Sequence, residues 1–155
     1  MAIKKIKYFD LGVNFKKAQS IFFKNLSFAG KKGDFILGLK VKEFENELKK
    51  ITKSKYVISC ANGSDALELS LSMLNIKRGD QIITTSNTWI SVGNAILSIG
   101  AKPIFVDINK SLNIDPNSIE KSITKKTKCI IVTHLNGLPC NMKKIQKIAK
   151  KYKIK

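Results

Sequence analysis

Arginine is almost absent from this chain of 155 residues. Of its 29 basic residues only Arg78 is an arginine, and 11 acidic residues leave a formal net charge of +18. A charge of that sign points toward nucleic acid or an anionic membrane surface. Specific recognition of phosphates and base edges, however, favours the forked guanidinium, and the 28 lysines are spread along the chain. The charge is therefore read as a solvated surface, which weighs against nucleic acid as a partner. Cysteine is scarce too: Cys60, Cys129 and Cys140 are an odd set without metal-ligand spacing, read as reduced and mostly buried, and no metal is expected. No run approaches the roughly 18 apolar residues that cross a bilayer, and Met1–Lys5 opens no apolar leader block, so a cytoplasmic protein without a membrane partner is expected. Asn62-Gly63-Ser64 matches a glycosylation acceptor, but that use needs secretion. Internal repeats, low-complexity tracts and Pro/Gly/Ser-rich linkers are lacking as well.

What is present is an ordinary core-forming composition, 43% hydrophobic and 26% charged, which excludes a disordered chain. The organising stretch is Ser59–Leu67, which joins the apolar run Tyr56-Val57-Ile58 to an amphipathic segment beginning at Ala66. It reads as strand, tight turn and helix start. Gly63 lets backbone amides approach a ligand, Ser64 adds a hydroxyl, and a helix N-terminus supplies unpaired donors with partial positive charge, which together suit a phosphate. Helix capping by Ser64 or Asp65 is the simpler reading of the same residues.

Before that stretch, Phe15, Ala18, Ile21, Phe22 and Leu26 predict a helix over 14–29 stopped by Gly30, and Val41, Phe44, Leu48 and Ile51 predict a second. After it, Ala66 to Leu74 reads as a buried helix, 81–85 as a strand, 88–99 as a helix stopped by Gly100, and 103–108 as a strand. Asp115-Pro116 is an N-cap followed by proline at the first helical position, opening a helix to about Ile123. The β-rich run 129–135 predicts a strand buried on both faces, and 141–152 a helix. Lys153–Lys155 reads as the start of a further strand, so the front portion of a longer protein is expected. Four strands alternating with helices predict a three-layer α/β/α fold with a mainly parallel sheet. In such a fold 59–65, 86–89, Asp107 and 134–137 converge on one sheet edge.

In order and spacing, several segments resemble the DegT/DnrJ/EryC1/StrS family of pyridoxal-phosphate-dependent sugar aminotransferases. They are Gly33–Gly38 with Val41 and Phe44-Glu45, Cys60–Leu67, Gly79–Ile83, Asn87-Thr88-Trp89, Gly100–Asp107, Thr127–Ile131 and His134–Pro139. The resemblance implies the front part of the large domain of a fold type I transferase, with an N-terminal helical segment over 1–32 and an incomplete cofactor-binding domain over 33–155. It implies pyridoxal 5'-phosphate as cofactor. Gly63, Ser64 and Asp65 match the family's phosphate turn, Asp65 as a backbone donor. Trp89 matches the position that stacks on the cofactor ring, and His134 a supporting position beside it, with Asn136 and Gly137 as a nearby wall. Asp107 is read as closing a turn.

The same resemblance implies amino transfer from an amino acid, commonly glutamate, to a keto group on a nucleotide-linked sugar in polysaccharide or glycoside biosynthesis, by a homodimer. The Schiff-base lysine and the acidic residue facing the pyridine nitrogen match no residue of this chain, so no catalytic residue is assigned and the fragment alone is expected to be inactive. Some family members replace that lysine and run dehydration. Rival readings are a basic α/β module binding nucleic acid or other polyanions, and an inactive truncated remnant.

Overall fold

The computed structural model describes Tyr8 and residues 10–155; residues 1–7 and 9, including the Met1–Lys5 stretch considered above, lie outside the described residues. The chain divides into two compact units, Met1–Ser59 and Cys60–Lys155.

The first unit is helical. Helix α1, Leu11–Lys32, runs through Gly30 and ends at Gly33, whose φ of 64° forms a left-handed cap donating back to Ala29 and Gly30. The predicted stop at Gly30 is thus three residues early, because the left-handed turn that ends a helix falls on the next glycine. Helix α2 spans Leu39–Thr52. Its first-turn amide at Leu39 donates to Asp34 Oδ2 at 2.8 Å, so the loop supplies the cap that Gly38 lacks. A Cβ on Gly38 would collide with the Asp34 carboxylate, which explains why glycine stands there. From α2, Glu45 Oε1 accepts from the Ser59 amide at 2.8 Å and the Ser59 hydroxyl at 2.7 Å, and these bonds hold the Glu45 carboxyl below its ordinary range.

Those bonds also bear on Tyr56–Ile58. This run has no assigned secondary structure and joins no ladder among the described residues. A strand exists only through its partner's backbone groups, and the residue that follows the run spends its amide on a glutamate side chain instead.

The second unit is the α/β body. In chain order it comprises α3 (Gly63–Ser72), β1 (Gln81–Thr85), α4 (Ile90–Ser98), β2 (Lys102–Val106), α5 (Pro116–Ser122), β3 (Thr127–Ile130), a 3₁₀ turn (Leu135–Gly137) and α6 (Met142–Tyr152). The strands pair in parallel in the order β2-β1-β3, with Ile83 opposite Ile104 and Ile130. Alternation divides the core in two. Ile82 and Cys129 pack with Leu71 of α3 and Val92, Ala95 and Ile96 of α4, while Ile83 and Val106 pack with Ile119 of α5 and Ile145 and Ile148 of α6. Helices cover both faces, giving the expected three layers, with three strands in this unit. Each fully buried isoleucine contributes roughly 1.5–3 kcal/mol relative to exposure. At the end of the chain, Lys155 donates to Lys128 and accepts from Ile130, extending the parallel pattern beside β3. Among the described residues, no helix is long and apolar enough to cross a membrane.

Among the described residues, Thr84, 0% exposed, has a buried hydroxyl with no hydrogen-bond partner. Thr84→Val removes that group at constant shape, so urea unfolding should show unchanged or higher stability, by up to about 1 kcal/mol; a clear loss would mean that the hydroxyl is bonded in solution. The thiols give a second check. Cys60 is exposed, whereas burial pushes the Cys129 and Cys140 thiols up from the ordinary range. A disulfide reagent should therefore label Cys60 quickly in the native protein, and all three only on unfolding.

Candidate functional site

Three chain segments build one open cleft of about 560 Å³ at the carboxyl edge of the sheet. The first is the start of α3. Asn62 is its N-cap: Oδ1 accepts from the Asp65 amide at 3.0 Å, and Nδ2 donates to Asp65 Oδ2 at 3.2 Å. The cap is therefore Asn62 rather than Ser64 or Asp65, because the residue before the first turn is the one whose side chain can fold back over it. Asn62 takes the Asp65 amide, while those of Gly63 and Ser64 have no protein partner among the described residues. A Cβ on Gly63 would meet nothing within 4 Å, so the space beside these amides is open.

The second segment follows β1. The Asn87 amide donates to the buried Thr85 hydroxyl at 3.2 Å, Asn87 Nδ2 donates to the Leu112 carbonyl at 3.0 Å, and the chain then enters α4 with Trp89 as N-cap residue. Trp89 is 76% exposed and lines the cleft. Left uncovered by its own protein, a tryptophan offers a flat apolar face to a ligand.

The third segment follows β3, where Ile131, Thr133 and His134 line the cleft. His134 Nδ1 accepts from the Cys140 amide at 3.1 Å, and the Cys140 thiol donates to the Thr133 carbonyl at 3.1 Å. Thr88 and Thr133 share a hydroxyl–hydroxyl bond of 2.8 Å, which ties the loop carrying Trp89 to the loop carrying His134.

Of the residues selected from the sequence, Gly63, Ser64, Trp89 and His134 share this cleft. Asp65 does not line it: its amide and carboxylate both engage Asn62. Asn136 and Gly137 do not line it either. They form a tight turn with φ of 51° and 80°. Asp107 closes a turn through its carbonyl, which accepts from the Asp115 amide at 2.9 Å. Sequence reasoning missed Thr88 and Thr133, whose only signal is a hydroxyl residue at the end of an apolar strand. It also missed Asn62.

Among the described residues, neither a lysine nor a carboxylate lines the cleft. Its donors are open amides and hydroxyls, reinforced by the positive end of α3. Such a site suits a small anion attached to a flat ring, and the residues present fit pyridoxal 5'-phosphate: amides and Ser64 for the phosphate, the indole for the ring, and no carboxylate to repel the anion.

The threonine pair is directly testable. Thr133→Val should cost about 1 kcal/mol in urea unfolding, because the Thr88 hydroxyl loses its partner. The anisotropy of Trp89, the single tryptophan, should fall as its loop loosens. Combining Thr88→Val with Thr133→Val should cost less than the sum of the two singles; strict additivity would show that the hydroxyls do not interact.

Comparison with known proteins bears on the same region. The family model for the DegT/DnrJ/EryC1/StrS aminotransferase family matches residues 17–155. A protein from Geobacillus stearothermophilus named only as a pleiotropic regulatory protein is 37% identical over 144 residues, which cover 92% of this chain and 39% of that protein. The dTDP-3-amino-3,6-dideoxy-alpha-D-galactopyranose transaminase of Aneurinibacillus thermoaerophilus is 46% identical over 125 residues, 79% of this chain and 34% of that enzyme. The crystal structure of NtdA from Bacillus subtilis with bound cofactor PMP superposes with a TM-score of 0.95 at 32% identity, covering 100% of this chain and 36% of that one. The chain thus spans between a third and two fifths of the length of these relatives, and over that span it belongs to the DegT/DnrJ/EryC1/StrS aminotransferase family.

Proposed function

We propose that this chain supplies the phosphate-holding and ring-stacking side of a pyridoxal-phosphate-dependent sugar aminotransferase. The observation that carries this reading is the shared cleft: open amides at the start of α3, the Ser64 hydroxyl and an exposed indole surround one hollow in a chain of this family. The Gly63 and Ser64 amides and the Ser64 hydroxyl donate to the phosphate, with the α3 dipole adding to the attraction. Trp89 covers one face of the ring. Asp65 serves by completing the Asn62 cap, which leaves the two amides before it pointing outward. The cofactor, when bound, acts as the electron sink that lets an amino group be exchanged at a substrate carbon.

The proposed reaction moves an amino group from an amino acid, glutamate by the family resemblance, to a keto group on a nucleotide-linked sugar. The dTDP-sugar transaminase among the relatives supports that acceptor class. The working protein is proposed to be a cytoplasmic homodimer in polysaccharide or glycoside biosynthesis, with residues 33–155 as part of its cofactor domain and 1–32 as a helical segment before it. Among the described residues no lysine lines the cleft, so these walls do not provide the lysine that bonds the cofactor, and the 155-residue chain alone is proposed to be inactive.

Titration of the purified chain with pyridoxal 5'-phosphate should quench Trp89 fluorescence saturably. Borohydride should leave no stoichiometric adduct on any one lysine. Ser64→Ala should weaken binding roughly tenfold, the effect of losing one hydrogen bond to a charged group, and Ser64→Asp should abolish it. Equal quenching by pyridoxal lacking the phosphate would sink the assignment of the α3 amides.

A further inference from the structure

The carboxyl edge holds a second set of bonds that converge on the only histidine. Asn113, 1% exposed, uses both ends of its side-chain amide: Nδ2 donates to the Leu138 carbonyl at 2.9 Å, and Oδ1 accepts from the Leu135 amide at 3.1 Å. These two backbone groups bracket the 3₁₀ turn that follows His134, so one buried side chain clamps both ends of that turn. Asn113 is itself held by its own carbonyl, which accepts from the Asn109 amide at 2.8 Å, inside the loop closed by the Ile108–Ile114 bridge. A buried amide with both ends satisfied has one low-energy orientation, and the turn inherits it.

The turn in turn sets the ring. The Cys140 amide can only donate, so its bond to His134 Nδ1 requires that nitrogen to be unprotonated. The neutral ring must then carry its proton on Nε2, which has no protein partner among the described residues, in a side chain that lines the cleft. Resting on the cofactor reading above, we propose that His134 is a fixed Nε2–H hydrogen-bond donor to the ligand in the cleft, and that Asn113 is the positioning residue that keeps it so. His134 in this role neither accepts a proton nor bonds the ligand covalently. Asn113 acts only through the turn.

Because the chain has one histidine and one tryptophan, each half of the proposal has its own probe. Long-range proton–nitrogen correlation on ¹⁵N-labelled chain, in mildly alkaline buffer, should show Nδ1 bare and Nε2 protonated. The opposite tautomer would overturn the proposal with no ligand involved. Quenching of Trp89 by pyridoxal 5'-phosphate should weaken roughly tenfold in His134→Phe, the loss expected for a donor to an anionic or polar ligand. His134→Gln, which retains an amide donor, should recover part of that loss; equal affinity in wild type and His134→Phe would overturn the donor role.

Asn113→Ala should mix the tautomers and weaken binding, yet add nothing in a His134→Phe background, whereas a merely structural role would lower affinity in both backgrounds. Should Asn113→Ala not fold, Asn113→Ser, which keeps one hydrogen-bonding oxygen, takes its place with the same double-variant readout. Absence of any quenching in wild type would remove the cofactor reading and the donor role together. The tautomer and its dependence on Asn113 would still be read from the nitrogen spectra.

Discussion

Parallel pairing makes every strand of this sheet release its outgoing loop at the same edge, and the rest of the molecule follows from how those loops are then routed. From β1 the chain crosses to β2 through α4 on one face. From β2 it returns past β1 to β3 through α5 on the other. Right-handed crossovers taken in opposite directions must use opposite faces. The outgoing loops of the neighbouring strands β1 and β3 therefore part company, one toward α4 and one toward α6, and the gap between them is the natural seat for a ligand. Trp89 and His134 stand on its two sides because they are among the first residues beyond those strands. The start of α3 reaches the same gap because a helix that leads back into a parallel strand begins at the strand's carboxyl edge.

The electrostatics of the cleft contrast with those of the chain. A net charge of +18 is carried by lysines, yet among the described residues no lysine lines the hollow. Attraction for an anion there comes from oriented amides and a helix terminus, whose positions are set by the fold, rather than from long side chains that would lose conformational freedom on binding. The Asn62 cap is central to this arrangement. By satisfying the Asp65 amide it leaves the two preceding amides as the open ones, and by engaging the Asp65 carboxylate it keeps a negative charge out of the lining.

Much of this was legible in the order of residues. The alternation of strands and helices, the Asp115-Pro116 start of α5 and the four cleft residues Gly63, Ser64, Trp89 and His134 follow from short-range rules of periodicity, capping and turn chemistry, and from the resemblance of the motifs. The misreadings share one cause. Tyr56–Ile58 has the composition of a strand, but pairing depends on a neighbour that composition cannot supply. Gly30 looks like a helix stop, but a glycine ends a helix only where the left-handed turn falls, and here that is Gly33. Asp65 belongs to the right motif and faces its own cap.

The residues alone determined an α/β chain with a phosphate-suited turn, an aromatic after one strand and a histidine after another, because each of these is decided within a few positions along the backbone. Which distant groups would meet was settled by the closing of the sheet. Thr88 finds Thr133 across 45 positions, and Asn113 reaches Leu135 and Leu138 across 22 and 25. Contacts of that span are fixed by strand register and crossover direction, quantities that arise only when the layers pack and that leave no period in the sequence to be read.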